Sequence, residues 1–401
     1  MIFAALTGGF FFSAYAETAP DVSNKNGAAS VQRAGNGPAS TLAVGATLDA
    51  KGRLWLVRVE NQRLLLSRSG DDGRRFSAPL TITPQPEAIM ADGESRPKIA
   101  VSADGTVHLT WVRALSKRHS GEIRYARSRD GGAVFSEPVT LNDDGLEISH
   151  RFDSLASDGR GKVAVAWLDA RERDAAKAQG RPFGGVSLYA VESEDNGVHF
   201  APNRRLVEHT CECCRTGMVW SADGPVAFWR NIFDTNTRDF ALVNLSGGPV
   251  RRATDDDWQI DACPHHGGGI AADGHGALHL VWFTQGNKRK GIFYRRMKGD
   301  EMTPPLPIGN PAAQAGHPAV AAAGAMVLLA WREFDGRVYS VWAQRSRDGG
   351  AQWEVPRRLA ETAGAADYPV PLTDGKKALV VWSAATEGVR VLPVEGAGSK
   401  P

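Results

Sequence analysis

Side chains that bind soft metals are concentrated in two short segments of the chain, CECCR and CPHH. The candidate ligands are Cys211, Cys213, Cys214, Cys263, His265 and His266. Thiolate sulfur and imidazole nitrogen are the ligands that suit copper and zinc, so the two segments would form a soft-metal site if they converged. His209 could add a further imidazole. Copper or zinc is the only cofactor that the sequence suggests.

The same four cysteines could instead be joined by disulfide bonds, which is the default in exported proteins. Four cysteines allow three pairings, and the pairing that joins the adjacent Cys213 and Cys214 would be strained. A bridge from the first segment to Cys263 would connect two distant parts of the chain. One disulfide beside a histidine-based metal site is a third arrangement, and the sequence leaves all three open.

Seven tryptophans, each near the end of a run of alternating apolar residues, indicate how these segments are positioned. They are Trp55, Trp111, Trp167, Trp229, Trp282, Trp331 and Trp382. Successive members are 49 (282 to 331) to 62 (167 to 229) residues apart, a period typical of a propeller blade of four short strands. The pattern predicts an all-β protein, a β-propeller of seven four-stranded antiparallel blades with a tryptophan between neighbouring sheets. Six blades with an extra hairpin is the alternative.

An octapeptide recurs at one place in four of the repeats. Its copies are SGDDGRRF (69–76), SRDGGAVF (128–135), SEDNGVHF (193–200) and SRDGGAQW (346–353). The aspartate can accept backbone N–H bonds within a tight turn, and the glycine two residues later tolerates positive φ. These copies resemble the Asp boxes of the sialidase superfamily, in which the box joins the third and fourth strands of a blade. The resemblance implies that the box carboxylates are structural.

In propellers of this kind, the segment before the first strand of each blade lines the mouth of the central channel. All four cysteines and four of the ten histidines fall in this register. The segments are 94–97, 150–153, 211–215, 263–266, 317–318 and 367–369. We therefore expect a ligand, either a small molecule, a glycan or a metal ion, to bind at this axial mouth. His150, Arg215 and His317 are further candidates for contacting it.

The sialidase resemblance also implies a catalytic set, because sialidases use an arginine triad, a tyrosine nucleophile with a glutamate, and an aspartate acid/base. Arg96 in SRPKI resembles the first arginine, Arg151 could be the second, and Tyr368 lies where the nucleophile would be expected. Glu94 and Asp153 are possible carboxylates. No third arginine is evident, because the fifth and sixth repeats carry histidines in this register.

Arg230 and Asp239 stand at the ends of two strands of the fourth repeat, close to the cysteines. Neighbouring antiparallel strands could bring them together as a buried ion pair or as part of the ligand site. The stretch from CECC through WRN and TRDF to CPHHGG resembles a group of exported bacterial proteins labelled sialidase-like. That resemblance implies a subfamily without implying a reaction.

The start of the chain predicts export. An apolar stretch from Ile2 to Phe12 is followed by an A-x-A site, so we expect a signal peptide over 1–16, cleaved after Ala16, and a secreted or periplasmic protein. We expect a flexible leader over 17–40, one propeller domain over 41–396 and a tail over 397–401. No membrane span is expected after cleavage, and a net charge of +2 gives no indication of nucleic-acid binding. We expect a monomer.

Taken together, these patterns favour an exported sialidase-like propeller that binds a ligand, with copper as a candidate, at a Cys/His/Arg-rich axial site. A divergent exo-α-sialidase or related glycoside hydrolase that uses Arg96, Arg151 and Tyr368 is the second hypothesis. A protein-interaction scaffold is the third, because a fold does not determine a function.

Overall fold

The seven tryptophans of the sequence pattern occupy equivalent strands. In the computed structural model, which describes residues 42–395, each one lies on the second main strand of a separate antiparallel sheet. All seven side chains are at most 1% exposed. The prediction of a seven-bladed β-propeller is therefore confirmed, and the six-bladed alternative is wrong. The proposed signal peptide, leader and tail lie outside the described residues.

Blades one to six each have four main strands, with one additional short strand in blades two and five, and blade seven has three strands among the described residues. Blade one comprises β1 Gly45–Leu48, β2 Leu54–Glu60, β3 Arg63–Ser69 and β4 Leu80–Thr81. Blade two comprises β5 Ile89–Met90, β6 Lys98–Val101, β7 Val107–Ala114, β8 Gly121–Ser128 and β9 Val139–Thr140. Blade three comprises β10 His150–Ser157, β11 Val163–Asp169, β12 Val186–Ser193 and β13 Arg204–Thr210. Blade four comprises β14 Gly217–Ser221, β15 Gly224–Arg230, β16 Phe240–Asn244 and β17 Arg251–Arg252. Blade five comprises β18 Gly269–Ala272, β19 Leu278–Gln285, β20 Lys290–Lys298, β21 Glu301–Met302 and β22 Leu306–Ile308. Blade six comprises β23 Gly316–Ala323, β24 Met326–Phe334, β25 Tyr339–Ser346 and β26 Arg357–Thr362, and blade seven comprises β27 Val370–Thr373, β28 Ala378–Ala384 and β29 Gly388–Pro393.

The ring closes between the first and the last blade. The inner strands β1, β6, β10, β14, β18, β23 and β27 contact one another in that order, and β27 contacts β1. Leu54 and Leu56 of blade one pack with Leu379 and Val381 of blade seven in one buried cluster. This closure buries both faces of each sheet, which a single blade could not achieve alone.

Each of the seven repeated tryptophans also has an acceptor for its indole N–H. In blades three, four and six the acceptor lies two residues further along the same chain segment: Trp167 donates to Asp169 (2.9 Å), Trp229 to Asn231 (3.1 Å) and Trp331 to Glu333 (2.9 Å). A buried indole N–H without a partner would destabilise the fold. In these three blades, the polar residue two positions after the tryptophan therefore belongs to the core.

The four octapeptides fold into the same turn, between the third and fourth strands of blades one, two, three and six. In the second copy, Ser128 Oγ donates to Asp130 Oδ1 (2.6 Å) and accepts from Gly132 N (2.8 Å), while Val134 N donates to the same carboxylate (3.0 Å). The other three copies repeat these bonds. The aspartates are thus used in holding the turn.

The glycine at the fifth position of each octapeptide packs against the preceding blade. A Cβ on Gly132 would lie 2.7 Å from the ring of Trp55, and one on Gly197 would lie 1.8 Å from Tyr125 Oη. A Cβ on Gly73 would lie 2.4 Å from the side chain of Val391, and one on Gly350 would lie 2.1 Å from Tyr294 Oη. The octapeptide therefore joins neighbouring blades, in addition to closing its own hairpin.

Gly132→Ala is expected to lower the free energy of unfolding by about 1–3 kcal/mol more than Gly131→Ala, because only the first substitution forces a methyl group against Trp55. The two adjacent glycines both have positive φ (+84° and +69°), and a Cβ on Gly131 would meet nothing within 4 Å. Gly131→Ala therefore controls for backbone strain. Denaturant unfolding followed by tryptophan fluorescence measures the difference, and equal effects would contradict the packing between blades.

Two sets of connections meet at one end of the ring, which we call the axial face. Because strands alternate in direction, the loops from one blade to the next and the loops between the second and third main strands of a blade lie at the same end. The helix α1, Arg171–Ala178, belongs to the second set, between β11 and β12. Among the described residues, no helix is long and apolar enough to cross a membrane.

Candidate functional site

The two cysteine segments are the loops that lead into blades four and five. Residues 211–216 join β13 to β14, and residues 253–268 join β17 to β18. Since these blades are neighbours in the ring, the two loops meet on the axial face, as the register of the sequence predicted. Sγ of Cys263 and a ring nitrogen of His265 lie within 4.8 Å of each other and of Sγ of Cys213.

A second group of three shares Cys213 with the first. The Sγ atom of Cys211 lies 3.7 Å from that of Cys213 and 3.9 Å from that of Cys214, and all three side chains are buried. Cys263 and His265 are exposed. We call these five residues the thiol cluster: a buried inner group of Cys211, Cys213 and Cys214, and an outer group formed by Cys213, Cys263 and His265.

Two arginines interact with sulfurs of the thiol cluster. Arg238 Nη1 lies 3.3 Å from Sγ of Cys211, and Arg151 interacts electrostatically with Cys213. Hydrogen bonds from the Cys213 and Cys214 thiols hold the pKa of Cys211 well below its usual value, whereas burial raises the pKa of Cys214.

His266 is not part of the thiol cluster, although it was predicted beside it. Its ring stacks between Phe283 and His317, with ring-centre distances of 3.9 and 4.1 Å. His317 in turn stacks on Tyr368 at 3.5 Å. The four rings form a ladder that runs across blades five, six and seven at the axial mouth. Burial holds the pKa of both histidines well below the usual value, so they stack as neutral rings.

Histidines on the axial face adopt a backbone conformation that non-glycine residues rarely take. The φ angles are +63° for His119, +62° for His209, +49° for His265 and +51° for His317. At His317 the pairing of β23 with β24 shifts register, as in a β-bulge. Such conformations cost about 1–3 kcal/mol each and cluster at functional sites. Four strained histidine positions thus lie on the axial face.

Glu94 connects blades across the axial mouth. One carboxylate oxygen accepts from Arg215 Nη1 (2.9 Å), and the other accepts from the backbone N–H groups of Arg215 (2.8 Å) and Gly267 (3.0 Å). Arg215 also donates to the carbonyl of Pro318 (2.9 Å). Glu94 and Arg215 are 6% and 13% exposed at the side chain. Blade two is thereby tied to blades four, five and six.

The predicted catalytic residues are only partly brought together. Arg96 lies beside Tyr368, but its guanidinium donates to Asp367 (3.2 Å) and to the carbonyls of Val44 (3.0 Å) and Tyr368 (3.3 Å). Burial raises the pKa of Tyr368. Arg151 is elsewhere: its Nη1 contacts His119 (3.5 Å), on the side of the thiol cluster.

Sequence reasoning missed Arg332, which stands directly after Trp331 and packs over the Tyr368 ring at 4.9 Å. Arg215 lies 5.9 Å from the same ring. Three arginines, at positions 96, 215 and 332, therefore surround Tyr368. The sequence did contain a sign of this role, since an arginine follows the repeated tryptophan in only two of the seven strands that carry one, at 230 and 332.

The predicted pairing of Arg230 with Asp239 is wrong. Arg230 is opposite Phe240 in the β15–β16 register. Asp239 is one residue out of register with Arg230, so its side chain points to the other face of the sheet. Asp239 pairs instead with Arg252. Arg230, 2% exposed, donates to the carbonyls of Arg238 (3.0 Å), His266 (2.9 Å) and Phe283 (2.8 Å). The rings of Phe240 and Trp258 flank its guanidinium at 4.3 and 4.7 Å.

His150 is fully buried, and the partners of its two ring nitrogens are Asp144, Asp169 and the carbonyl of Gly121 rather than residues of the thiol cluster. Its Nε2 lies 3.0 Å from Asp144 and 3.7 Å from Asp169, and its Nδ1 lies 2.9 Å from the carbonyl of Gly121. Arg171 neutralises the same carboxylates. The arrangement is that of a buried structural network, so the prediction of a ligand contact by His150 is not supported by its position.

Comparisons with known proteins agree with the fold and give no family. No protein-family model matches the sequence, and no curated protein matches it. A solved polysaccharide lyase, the PL25 ulvan lyase bound to -[GlcA(1-4)Rha3S]-, is 12% identical with a TM-score of 0.55, over 90% of this chain and 94% of that one. The polysaccharide lyase Uly1 is 11% identical with a TM-score of 0.55, over 90% and 92%. The intramolecular trans-sialidase from Ruminococcus gnavus is 10% identical, over 77% and 97%, with a TM-score of 0.48. At these identities the likeness concerns the propeller fold alone.

Proposed function

We propose that this protein is an exported propeller that binds and retains a soft metal ion, Cu(I) or Zn(II), in the thiol cluster of its axial face. The spacing of the inner sulfurs carries the proposal. Sulfurs bonded to one metal at about 2.3 Å lie about 3.8 Å apart at tetrahedral angles and about 4.0 Å apart at trigonal angles. The separations from Cys211 to Cys213 and Cys214 are 3.7 and 3.9 Å.

The surroundings of the cluster suit a metal–thiolate centre. Several thiolates close together are stable only if their negative charge is offset, and both the metal and the guanidinium groups of Arg238 and Arg151 provide positive charge. Cys263 and His265 are exposed, so a metal ion can enter from solvent and reach the buried inner sulfurs through ligands that it meets first.

Disulfide formation is the main competing use of the same residues. The inner Sγ atoms at 3.7 and 3.9 Å are well beyond the S–S bond length of about 2.05 Å. Their separations are closer to the distance between two sulfurs that bind one metal ion than to the length of a disulfide bond. Export, which would favour disulfides, is itself part of the proposal and rests on the sequence of residues 1–16.

Carbohydrate binding is a weaker candidate. The two polysaccharide lyases share the propeller fold, and three arginines surround Tyr368. However, Glu94 and Asp367 already occupy the guanidinium groups of Arg215 and Arg96. A uronate or sialate carboxylate would have to displace these buried partners, so the arrangement does not favour catalysis on an acidic sugar.

Metal retention is the test. The reduced full chain, loaded with Cu(I) or Zn(II) and passed through a desalting column, is expected to retain metal and to show its cysteines protected from a thiol reagent until a chelator is added. Cys211→Ser/Cys213→Ser/Cys263→Ser, which removes ligands from both the inner and the outer group, is expected to abolish retention. His275→Ala, an exposed histidine at the other end of blade five, is the matched control and should retain metal like the native protein. A native protein that has no free thiols after denaturation would show that the cysteines form disulfide bonds instead.

A further inference from the structure

We infer that the thiol cluster holds two Cu(I) ions, bridged by the thiolate of Cys213. This inference rests on the proposed function and adds to it the identity, the number and the arrangement of the ions. It assigns one ion to the inner group of Cys211, Cys213 and Cys214, and the other to the outer group of Cys213, Cys263 and His265.

The grouping of the ligand atoms carries the inference. Within the described residues, the candidate ligand atoms at this place fall into two groups of three, and each group lies within 4.8 Å. A single tetrahedral ion with four sulfur ligands would require all of them about 3.8 Å apart. Cys213 alone belongs to both groups, so it is the residue that can connect two ions.

The ligand number and type select Cu(I). Structural zinc almost always takes four protein ligands, whereas each group here supplies three. Soft thiolates select Cu(I), and imidazole also suits copper. A thiolate sulfur has more than one lone pair, so Cys213 can bind both ions without losing either bond. Two three-coordinate Cu(I) ions therefore use every ligand of the cluster.

The charge of such a centre fits its surroundings. Two Cu(I) ions and four thiolates carry a net charge of −2, and two guanidinium groups accompany them. Arg238 reaches Cys211 at 3.3 Å on the inner side, while Arg151 interacts with Cys213, the proposed bridge. Glu212, near Cys263 at 4.0 Å, is neutralised by Arg173 of α1 at 2.8 Å. The local charge is thus balanced by residues from blades three and four.

The two ions would differ in how fast they exchange with chelators in solvent. The inner ligands are buried, whereas Cys263 and His265 are exposed. Ligands held in a packed interior are fixed in position before the ion binds, which favours retention. The outer ion is therefore the one that exchanges with solvent chelators first.

An anaerobic titration of the reduced full chain with Cu(I), buffered by bathocuproine disulfonate, tests the inference. The native protein is expected to bind two Cu(I) per chain. Cys263→Ser and Cys214→Ser are each expected to bind one, because each removes a ligand from a single group. Cys213→Ser is expected to bind less than one, and His275→Ala to bind two. Tryptophan fluorescence confirms that each variant is folded before it is titrated.

The outcomes separate this inference from the proposed function. No Cu(I) or Zn(II) bound by the native protein would contradict both. One Cu(I) per native chain would overturn the two-ion centre and leave the proposed function in place. Two Cu(I) that both survive Cys213→Ser would overturn the bridge, since independent sites do not need that sulfur.

Discussion

Replacing Glu94 with alanine is expected to lower the free energy of unfolding by about 3–5 kcal/mol, the usual cost of removing one partner from a buried ion pair. The substitution leaves the guanidinium of Arg215, 13% exposed, without its carboxylate. It also removes the acceptor of the Arg215 and Gly267 backbone N–H groups. Because these groups belong to blades four and five, the loss affects the ring as a whole.

Denaturant unfolding of Glu94→Ala measures this effect, and Glu194→Ala is the matched control. Glu194 pairs with Lys162 at 2.7 Å, but the two side chains are 71% and 49% exposed. A pair on the surface contributes about 0–1 kcal/mol, so the control should change stability little. Similar effects of the two substitutions would show that Glu94 does not hold the blades together.

Replacing Arg230 with methionine is expected to lower stability by at least about 3 kcal/mol and to weaken Cu(I) binding at least tenfold. Methionine keeps an apolar side chain between Phe240 and Trp258 but leaves three carbonyl groups without their donor, at about 1–3 kcal/mol for each buried one. One of these carbonyls belongs to His266, next to the outer ligand His265. Arg230 is therefore a positioning residue for the cluster.

Arg295→Met is the control for that prediction. Arg295 also packs on a tryptophan, Trp282, and donates to the carbonyls of Ala253 (2.7 Å) and Thr303 (2.9 Å), but none of these residues stands next to a residue of the thiol cluster in the chain. Its replacement should destabilise the propeller without changing the affinity for Cu(I), measured by competition with a chelator. Equal affinities in the two variants would show that Arg230 supports the fold only.

The architecture could be predicted because it depends on features that repeat. A tryptophan must fill the same space in every blade, and a serine, an aspartate and a glycine must close the same turn, so each appears at a regular interval in the chain. The approach of Cys213 to Cys263 followed from the same periodicity, since both precede the first strand of neighbouring blades.

Contacts that depend on which way one side chain points could not be predicted in this way. Arg230 and Asp239 were paired from strand adjacency, whereas a register offset of one residue separates them. Arg151 was grouped with Arg96, yet it lies by His119. The role of Glu94 in joining blades could not be predicted, because its partners stand 121 and 173 positions away in the chain. No local sequence pattern indicates contacts over such separations.

X-ray absorption at the copper edge of the Cu(I)-loaded protein tests most directly whether thiolates hold the metal. A first shell dominated by sulfur at about 2.3 Å is expected, with a smaller nitrogen contribution that disappears in His265→Ala. A first shell of nitrogen and oxygen alone in the native protein would contradict this expectation, since the metal would then be bound elsewhere than in the thiol cluster.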